Sequence, residues 1–270
     1  MVDSPFNFNP VPKAYDEVMG PVYFEAYAVE TALRVASWNP ASVLETACGT
    51  GRVTGHLRKK IAGTARLVAT DINKEMLSYA KQKFAEVRNI EWQEADALHL
   101  PFENDSFDTV VCQFGAMFFP DKKKGFAEAY RVLKAGGNFI FVVWEKLHLN
   151  PLGAAGREVL NDFFNGRPPE NLRTAFSMTD QELISGLLAE AGFGSIEMES
   201  ITKPCETESA EKFAEAFVEG SSVREAVRKF NPGEVKALQK KICETWIGQF
   251  GNHPVKSTMQ AIVCTASKGS

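Results

Sequence analysis

Short apolar runs and helical patterns alternate along the first half of the chain, and that alternation leaves few folds open. Runs at 42–47, 66–71 (RLVATD), 108–114 (DTVVCQF) and 138–145 (NFIFVVWE) read as strands. NIEWQEAD at 89–96 alternates as a strand edge does. Between them, VTGHLRKKIA, residues 74–86 and PDKKKGFAEAYRVL carry helical spacing, the last closed by AGG at 135–137. Strands recurring every 20–30 residues with helices between them predict a parallel α/β sheet, doubly wound by right-handed crossovers.

The flanking segments are less regular. The first ten residues read as an arm, and Pro21 is expected to interrupt any early helix, leaving an amphipathic helix from about Tyr23 to Ala36. Residues 151–165 and 178–191 look helical, with Gly192 as a stop, and 195–202 reads as a strand. Helices are expected at 207–219, 221–229 and 233–248, before a last strand at 256–266. An antiparallel return between those two strands needs only a few residues, so the roughly fifty between them read as an insertion.

Composition narrows the function classes. A net charge of −4 over 270 residues, with no basic stripe, argues against a nucleic-acid surface, and KKK at 122–124 reads as a solvated helix start. The five cysteines are unpaired in spacing and the four histidines are scattered, so neither a disulfide framework nor a metal site is expected. The amino terminus lacks a basic region followed by an apolar segment, and no run of 18 apolar residues occurs. A cytoplasmic protein, monomer or homodimer, is the expectation.

The most specific stretch is VLETACGTGRVTGHL at 43–57. A strand runs into Gly49 and Gly51, and a helix follows, so unpaired N–H groups and the positive end of a helix dipole face the loop. Gly49 allows a tight turn and Gly51 a close backbone approach. Asp71 ends the next strand twenty positions after Gly51, where a carboxylate can accept from both ribose hydroxyls. A dinucleotide loop reads G-x-G-x-x-G, yet Thr54 stands in the last place, and no G-K-[ST] phosphate loop exists. Glu45 would repel a pyrophosphate and attract an ammonium group. At 94–102, EADALHLPF places Asp96 to accept from an exocyclic amine and the Ala97 N–H to donate to a ring nitrogen, with Ile72 and Leu98 on either face of an adenine.

ETACGTGR, ATDINKEML, EADALHLPFENDSFDTVVCQFGAMFF and YRVLKAGGNFIFVVWE, in this order, resemble a class I S-adenosylmethionine-dependent methyltransferase. The likeness is strong over roughly 40–145 and is nearest the small-molecule branch that includes quinone-biosynthesis C-methyltransferases (methyltransferase type 11). The aromatic segment YDEVMGPVYFEAYA resembles that branch too. It implies a Rossmann-like seven-stranded sheet, mostly parallel, with the last strand antiparallel and helical cap elements. Glu45, Ala47, Gly49 and Gly51 would form the first cofactor motif, often with glycine where Ala47 stands, a change expected to cost little because a methyl adds little bulk. Asp71 would hold the ribose, Ile72 and Leu98 the adenine faces, Asp96 and Ala97 its edge. Gln113, Phe114 and Tyr23 would lie near the methionine moiety.

The resemblance and the inserted segment together divide the chain into an expected N-terminal helical segment (1–39) that helps cover the active site, an S-adenosylmethionine-binding core (40–205), a helical insertion as substrate cap (206–254) and a final strand with tail (255–270). The expected activity is methyl transfer by in-line displacement to a small apolar or aromatic acceptor, releasing S-adenosylhomocysteine. Tyr15, Phe118, Phe213 and Phe217 are candidates for the acceptor pocket, and His148, following the fifth strand, is the candidate general base. Two alternatives stay open: a methyltransferase-like protein that binds the cofactor without transfer, and a nicotinamide-dependent oxidoreductase, which the Thr54 frame disfavours.

Overall fold

The computed structural model describes residues 11–168, 173–220 and 223–269. The expected arm and the first two positions of the expected 221–229 helix lie outside the described residues. A helical run opens the chain: α1 (Pro12–Ala14), a π-helical stretch (Tyr15–Phe24) and α2 (Glu25–Ser37). Alternation follows, through β1 (Ser42–Glu45), α3 (Arg52–Lys60), β2 (Arg66–Asp71), α4 (Lys74–Lys83), β3 (Glu91–Glu94), β4 (Phe107–Gln113), α5 (Lys122–Val132) and β5 (Leu133–Trp144). The remainder comprises α6 (Pro151–Phe163), α7 (Gln181–Ala191), β6 (Ser195–Thr207), α8 (Ala210–Glu219), α9 (Arg224–Phe230), α10 (Val235–Phe250) and β7 (Val255–Ser267).

The strand order is β3-β2-β1-β4-β5-β7-β6. β1 pairs in parallel with β2 on one side and β4 on the other, so the order reverses at β1. β7 runs against β5: Gly136 N–H donates to Lys268 O, and Glu145 N–H, further along β5, to Gln260 O, earlier in β7. The sheet is thus mostly parallel with an antiparallel last strand, as the resemblance implied. Strand β1 is buried along its whole length, its polar ends Ser42 and Glu45 included. Asn73, Asp121 and Asp180 cap α4, α5 and α7 by accepting from first-turn N–H groups.

Two expectations are corrected. Pro21 does not interrupt the early helix but sits inside the π-helical stretch, whose end is closed by Glu25 N–H on Gly20 O. The five-residue hydrogen-bond register widens the turn and relieves the clash a proline ring makes with the carbonyl four residues back. The AGG at 135–137 does not close a helix either, because α5 ends at Val132 and these residues lie within β5. Gly136 has φ 75°, and a Cβ on Gly137 would sit 2.9 Å from Lys134 O and 3.0 Å from Asp108 O. The glycines serve the register shift between Phe107 and Thr109 where β5 meets β4.

The chain divides into two compact units. One holds residues 27–143, 178–201 and 261–270, which carry the parallel part of the sheet. The other holds 1–26, 144–177 and 202–260 and is mainly helical. In the helical unit Trp246 is fully buried, packs on Phe213 and Phe217, and donates from Nε1 to Leu152 O at 3.0 Å. Asn150, also fully buried, ties the start of α6 to β7, donating to Gln260 O and accepting from Gln260 N–H. Among the described residues no helix is long and apolar enough to cross a membrane.

Candidate active site

The reversal of strand order places the carboxyl end of β1 where ligands bind in open α/β sheets. From Glu45 the chain turns through Ala47, Gly49 and Gly51, all left-handed at φ 52, 55 and 75°. Glycine takes such angles freely, whereas a left-handed alanine costs about 1–2 kcal/mol. The expectation that Ala47 is nearly free is therefore corrected: its cost lies in the backbone rather than in bulk. Gly115 makes room for the methyl, since a Cβ there would lie 2.5 Å from the Ala47 Cβ.

The two loop glycines do different work. A Cβ on Gly51 would meet the Phe84 ring at 2.9 Å and the Trp92 ring at 3.0 Å, so protein already fills that side. A Cβ on Gly49 would meet nothing nearer than the Met76 Cε at 3.9 Å. Gly55 resembles Gly51, because a Cβ there would lie 2.7 Å from Phe84.

Asp71 ends β2 and is bound into the same loop. Its Oδ2 accepts from Gly49 N–H and its Oδ1 from Asn73 N–H, each at 2.7 Å. Burial raises its pKa above the usual carboxylate value, against the pull of the Asn73 and Gly49 N–H groups. The adjacent Ile72 is 46% exposed, a bare apolar face beside a buried acid. Glu45 is more deeply enclosed, and its Oε2 accepts from Thr54 Oγ1 at 2.5 Å. Burial pushes its pKa up to about 8, the nearby Asp71 charge adding to the rise and the Thr54 hydroxyl opposing it. Thr54 went unassigned in the sequence beyond breaking the dinucleotide frame, and here it holds the motif's acid.

In the third motif Asp96 Oδ1 accepts from Leu98 N–H at 2.9 Å, and Oδ2 lies 3.0 Å from His99 Nδ1. Lys124 contacts the other ring nitrogen of His99. Ala97 is half-buried and Leu98 buried. At the end of β4, Gln113 Oε1 accepts from Thr31 Oγ1 at 3.1 Å, and Phe114, at φ 54°, packs edge-on against Tyr27. Phe118 is half-buried on the 3-10 turn Ala116–Phe118. Glu45, Gly49, Thr54 and Asp71 are joined directly or through the short loop, and Asp96 is set in its own turn.

The remaining candidates belong to the helical unit. Tyr23 is buried against Phe24, Trp144 and Phe213, and its hydroxyl has no hydrogen-bond partner among the described residues. Tyr15 stacks on Phe24 at 5.1 Å. Phe213 is fully buried and Phe217 nearly so, filling that unit's interior around Trp246. His148 is exposed on the 3-10 turn Leu147–Leu149.

The donor set suits a cationic nucleoside: two buried carboxylic acids at adjacent strand ends, an open Gly49, and an exposed apolar Ile72. Sheet order, glycine loop and acidic strand end together define a class I S-adenosylmethionine-dependent methyltransferase. The profile of the ubiE/COQ5 methyltransferase family matches residues 7–161, and the chain belongs to that family.

Relatives bear this out. The chain is 32% identical over 177 residues to the ubiquinone/menaquinone biosynthesis C-methyltransferase UbiE of Klebsiella pneumoniae (strain 342), covering 60% of this chain and 69% of that one. The UbiE of Escherichia coli K12 (strain DH10B) is 30% identical over the same coverage. Two solved structures share the fold. The YcgJ protein of Bacillus subtilis has a TM-score of 0.59 at 17% identity, covering 91% of this chain and 99% of that chain. A Haemonchus contortus phosphoethanolamine N-methyltransferase 2, in complex with S-adenosyl-L-methionine, has a TM-score of 0.60 at 16% identity, covering 96% and 57%. The protein is thus an enzyme that transfers a methyl group from S-adenosylmethionine to a small molecule.

Proposed function

We propose that the loop between β1 and α3 and the end of β2 hold the cofactor, and that the acceptor carries an apolar aromatic ring. The observation that carries the cofactor side is the Asp71 carboxylate, buried and bonded to Gly49 N–H beside the exposed Ile72. Each Asp71 oxygen keeps a lone pair beyond the one its backbone donor uses, enough to receive two ribose hydroxyls. Ile72 and Leu98 then bracket the adenine, whose edge meets Asp96 and Ala97. Glu45 balances the ammonium group, Gly49 admits the methionine chain, and Gln113 with Phe114 bounds it. Ala47 and Gly51 set the loop's path.

When bound, S-adenosylmethionine supplies an electrophilic methyl on a cationic sulfur. The protein's part is to orient, to exclude water and to receive an acceptor without opposing the loss of sulfonium charge. For the acceptor side, the support lies in the helical unit. Tyr23, Phe24, Trp144 and Phe176 form a chain of ring contacts, with centroids 6.1 to 6.5 Å apart. Within that chain the Tyr23 hydroxyl is a buried donor awaiting an acceptor atom, suited to the oxygen of a phenol or quinol. The UbiE relatives are named for ubiquinone and menaquinone biosynthesis, which agrees with an aromatic acceptor.

Calorimetric titration with S-adenosylmethionine, with NAD as control and with Asp71→Ala as comparison, tests this reading. Saturable binding of the sulfonium compound, absent for NAD and lost in the variant, is expected. Equal binding by the variant would remove Asp71 from the site.

A further inference from the structure

The helical unit contains a cluster of cationic side chains that the methyl-transfer site does not use. A cavity of about 430 Å³ is lined by Arg167, Pro168, Arg173, Thr174 and Ser177. Burial lowers the pKa of Arg157, half-buried on α6, and the charge of Arg173 adds to the fall. Among the described residues no carboxylate forms an ion pair with any of these three arginines. Several other arginines are paired with carboxylates: Arg34 meets Glu30 and Glu199, Arg66 meets Glu91, and Arg131 meets Glu128. The Arg167 and Arg173 guanidinium groups line a cavity with two hydroxyl side chains and pair with no carboxylate among the described residues, a fork-shaped donor set that matches an oxyanion.

The position of this cavity says more. Phe176 lies in the same turn, where its N–H donates to Arg173 O at 3.1 Å and Ser177 N–H donates to Thr174 O at 3.1 Å. The Phe176 ring stacks on Trp144, with centroids 6.4 Å apart, and so joins the chain of rings that includes Tyr23. One short turn thus presents an aromatic face and a cationic cavity.

We propose that this pocket seats an oxyanion, a carboxylate or a phosphate, carried by the aromatic acceptor. The inference rests on the aromatic-acceptor reading above and narrows it to ring compounds bearing an acid group. The pocket supplies binding and orientation, and no bond is made or broken there.

The test uses the full-length protein loaded with S-adenosylhomocysteine, at constant ionic strength with chloride as the balancing ion. Inorganic phosphate and pyrophosphate are titrated calorimetrically, followed by 4-hydroxybenzoate and its neutral twin 4-methylphenol. Saturable pyrophosphate binding is expected, weakened at least tenfold in the double variant Arg167→Ala/Arg173→Ala and partly kept in Arg173→Lys. Both arginines are exposed, so the variants are expected to fold, and unchanged affinity for S-adenosylmethionine checks this. An acceptor-borne anion requires that 4-hydroxybenzoate bind more tightly than its twin in the wild type, compete with pyrophosphate, and lose that advantage in the double variant. Pyrophosphate binding without any advantage for the aromatic acid would assign the pocket to a free phosphate and overturn the acceptor claim. No saturable anion binding, or equal binding by the double variant, would overturn the pocket itself. Failure of the wild type to bind S-adenosylmethionine would instead strike the functional reading and leave the anion result standing.

Discussion

The Gly49 N–H donates to Asp71 Oδ2 at 2.7 Å, so the residue expected to hold the ribose also holds the loop expected to hold the methionine chain. One carboxylate thereby couples two parts of the proposed ligand site that lie 22 residues apart in sequence. A buried acid that accepts from two backbone N–H groups is preorganised, because its oxygens are aimed before any ligand arrives.

Asp71→Ala is accordingly expected to do two things. Losing hydrogen bonds to a charged group, each worth about 1.5–3 kcal/mol, should weaken S-adenosylmethionine binding by about a hundredfold or more. Freeing the Gly49 and Asn73 N–H groups should lower stability by about 1–3 kcal/mol. Calorimetry reads the first and urea unfolding the second. A stability loss with unchanged affinity would show that Asp71 fastens the loop and does no more.

Gly51→Ala and Gly55→Ala separate the loop from the packing behind it. Both new methyl groups would press on Phe84, but only Gly51 has a left-handed backbone, at φ 75°. Gly51→Ala is expected to cost about 2–4 kcal/mol from overpacking and backbone strain together, and to weaken cofactor binding. Gly55→Ala is expected to cost about 1–3 kcal/mol while leaving affinity near wild type. Adding Phe84→Leu should recover part of the Gly55→Ala loss in urea midpoint and less of the Gly51→Ala loss.

That contrast marks the border of what a linear reading can reach. That the Gly49–Gly51 loop and Asp71 meet at one sheet edge was legible because a parallel α/β unit returns each strand end to the same edge after a fixed number of residues. The same periodicity located the strands of the sheet. The reasons behind individual residues were not legible, because they depend on partners far along the chain. Nothing near Gly51 or Gly55 announces Phe84, and nothing near Ala47 announces Gly115. Thr54 looked like a missing glycine until it was found bonded to Glu45. Pro21 read as a helix breaker because its usual effect presumes an α-helical register, which this segment abandons.

Glu45 should leave a signature in the pH dependence of stability. Its carboxyl titrates at about 8 in the folded protein, against an ordinary value of 4.5. Between those pH values the folded chain keeps a proton that the unfolded chain has released, so this group's contribution falls as pH rises and levels off above about 8. Urea midpoints measured from pH 5 to 9 should therefore decline more in the wild type than in Glu45→Gln, other groups contributing equally to both. Bound S-adenosylmethionine, being cationic, favours the carboxylate and should move the wild-type inflection to lower pH. Parallel curves for the two proteins would show that Glu45 is already ionised near neutrality.

Tyr23→Phe tests the acceptor side, because structure and function pull it in opposite directions. The hydroxyl is buried with no partner among the described residues, so removing it should leave stability unchanged or raise it by up to about 1 kcal/mol. The rings of Phe24, Trp144 and Phe213 keep their contacts with the phenylalanine that replaces it. If the hydroxyl donates to the acceptor's oxygen, turnover should nevertheless fall about tenfold, the rate equivalent of one hydrogen bond worth about 1.4 kcal/mol. Affinity for S-adenosylmethionine, measured by calorimetry, should stay unchanged in that case. A variant that is equally stable and equally active would show that the hydroxyl meets no ligand. One that loses cofactor affinity instead would move Tyr23 from the acceptor to the methionine moiety, the placement first suggested by the sequence.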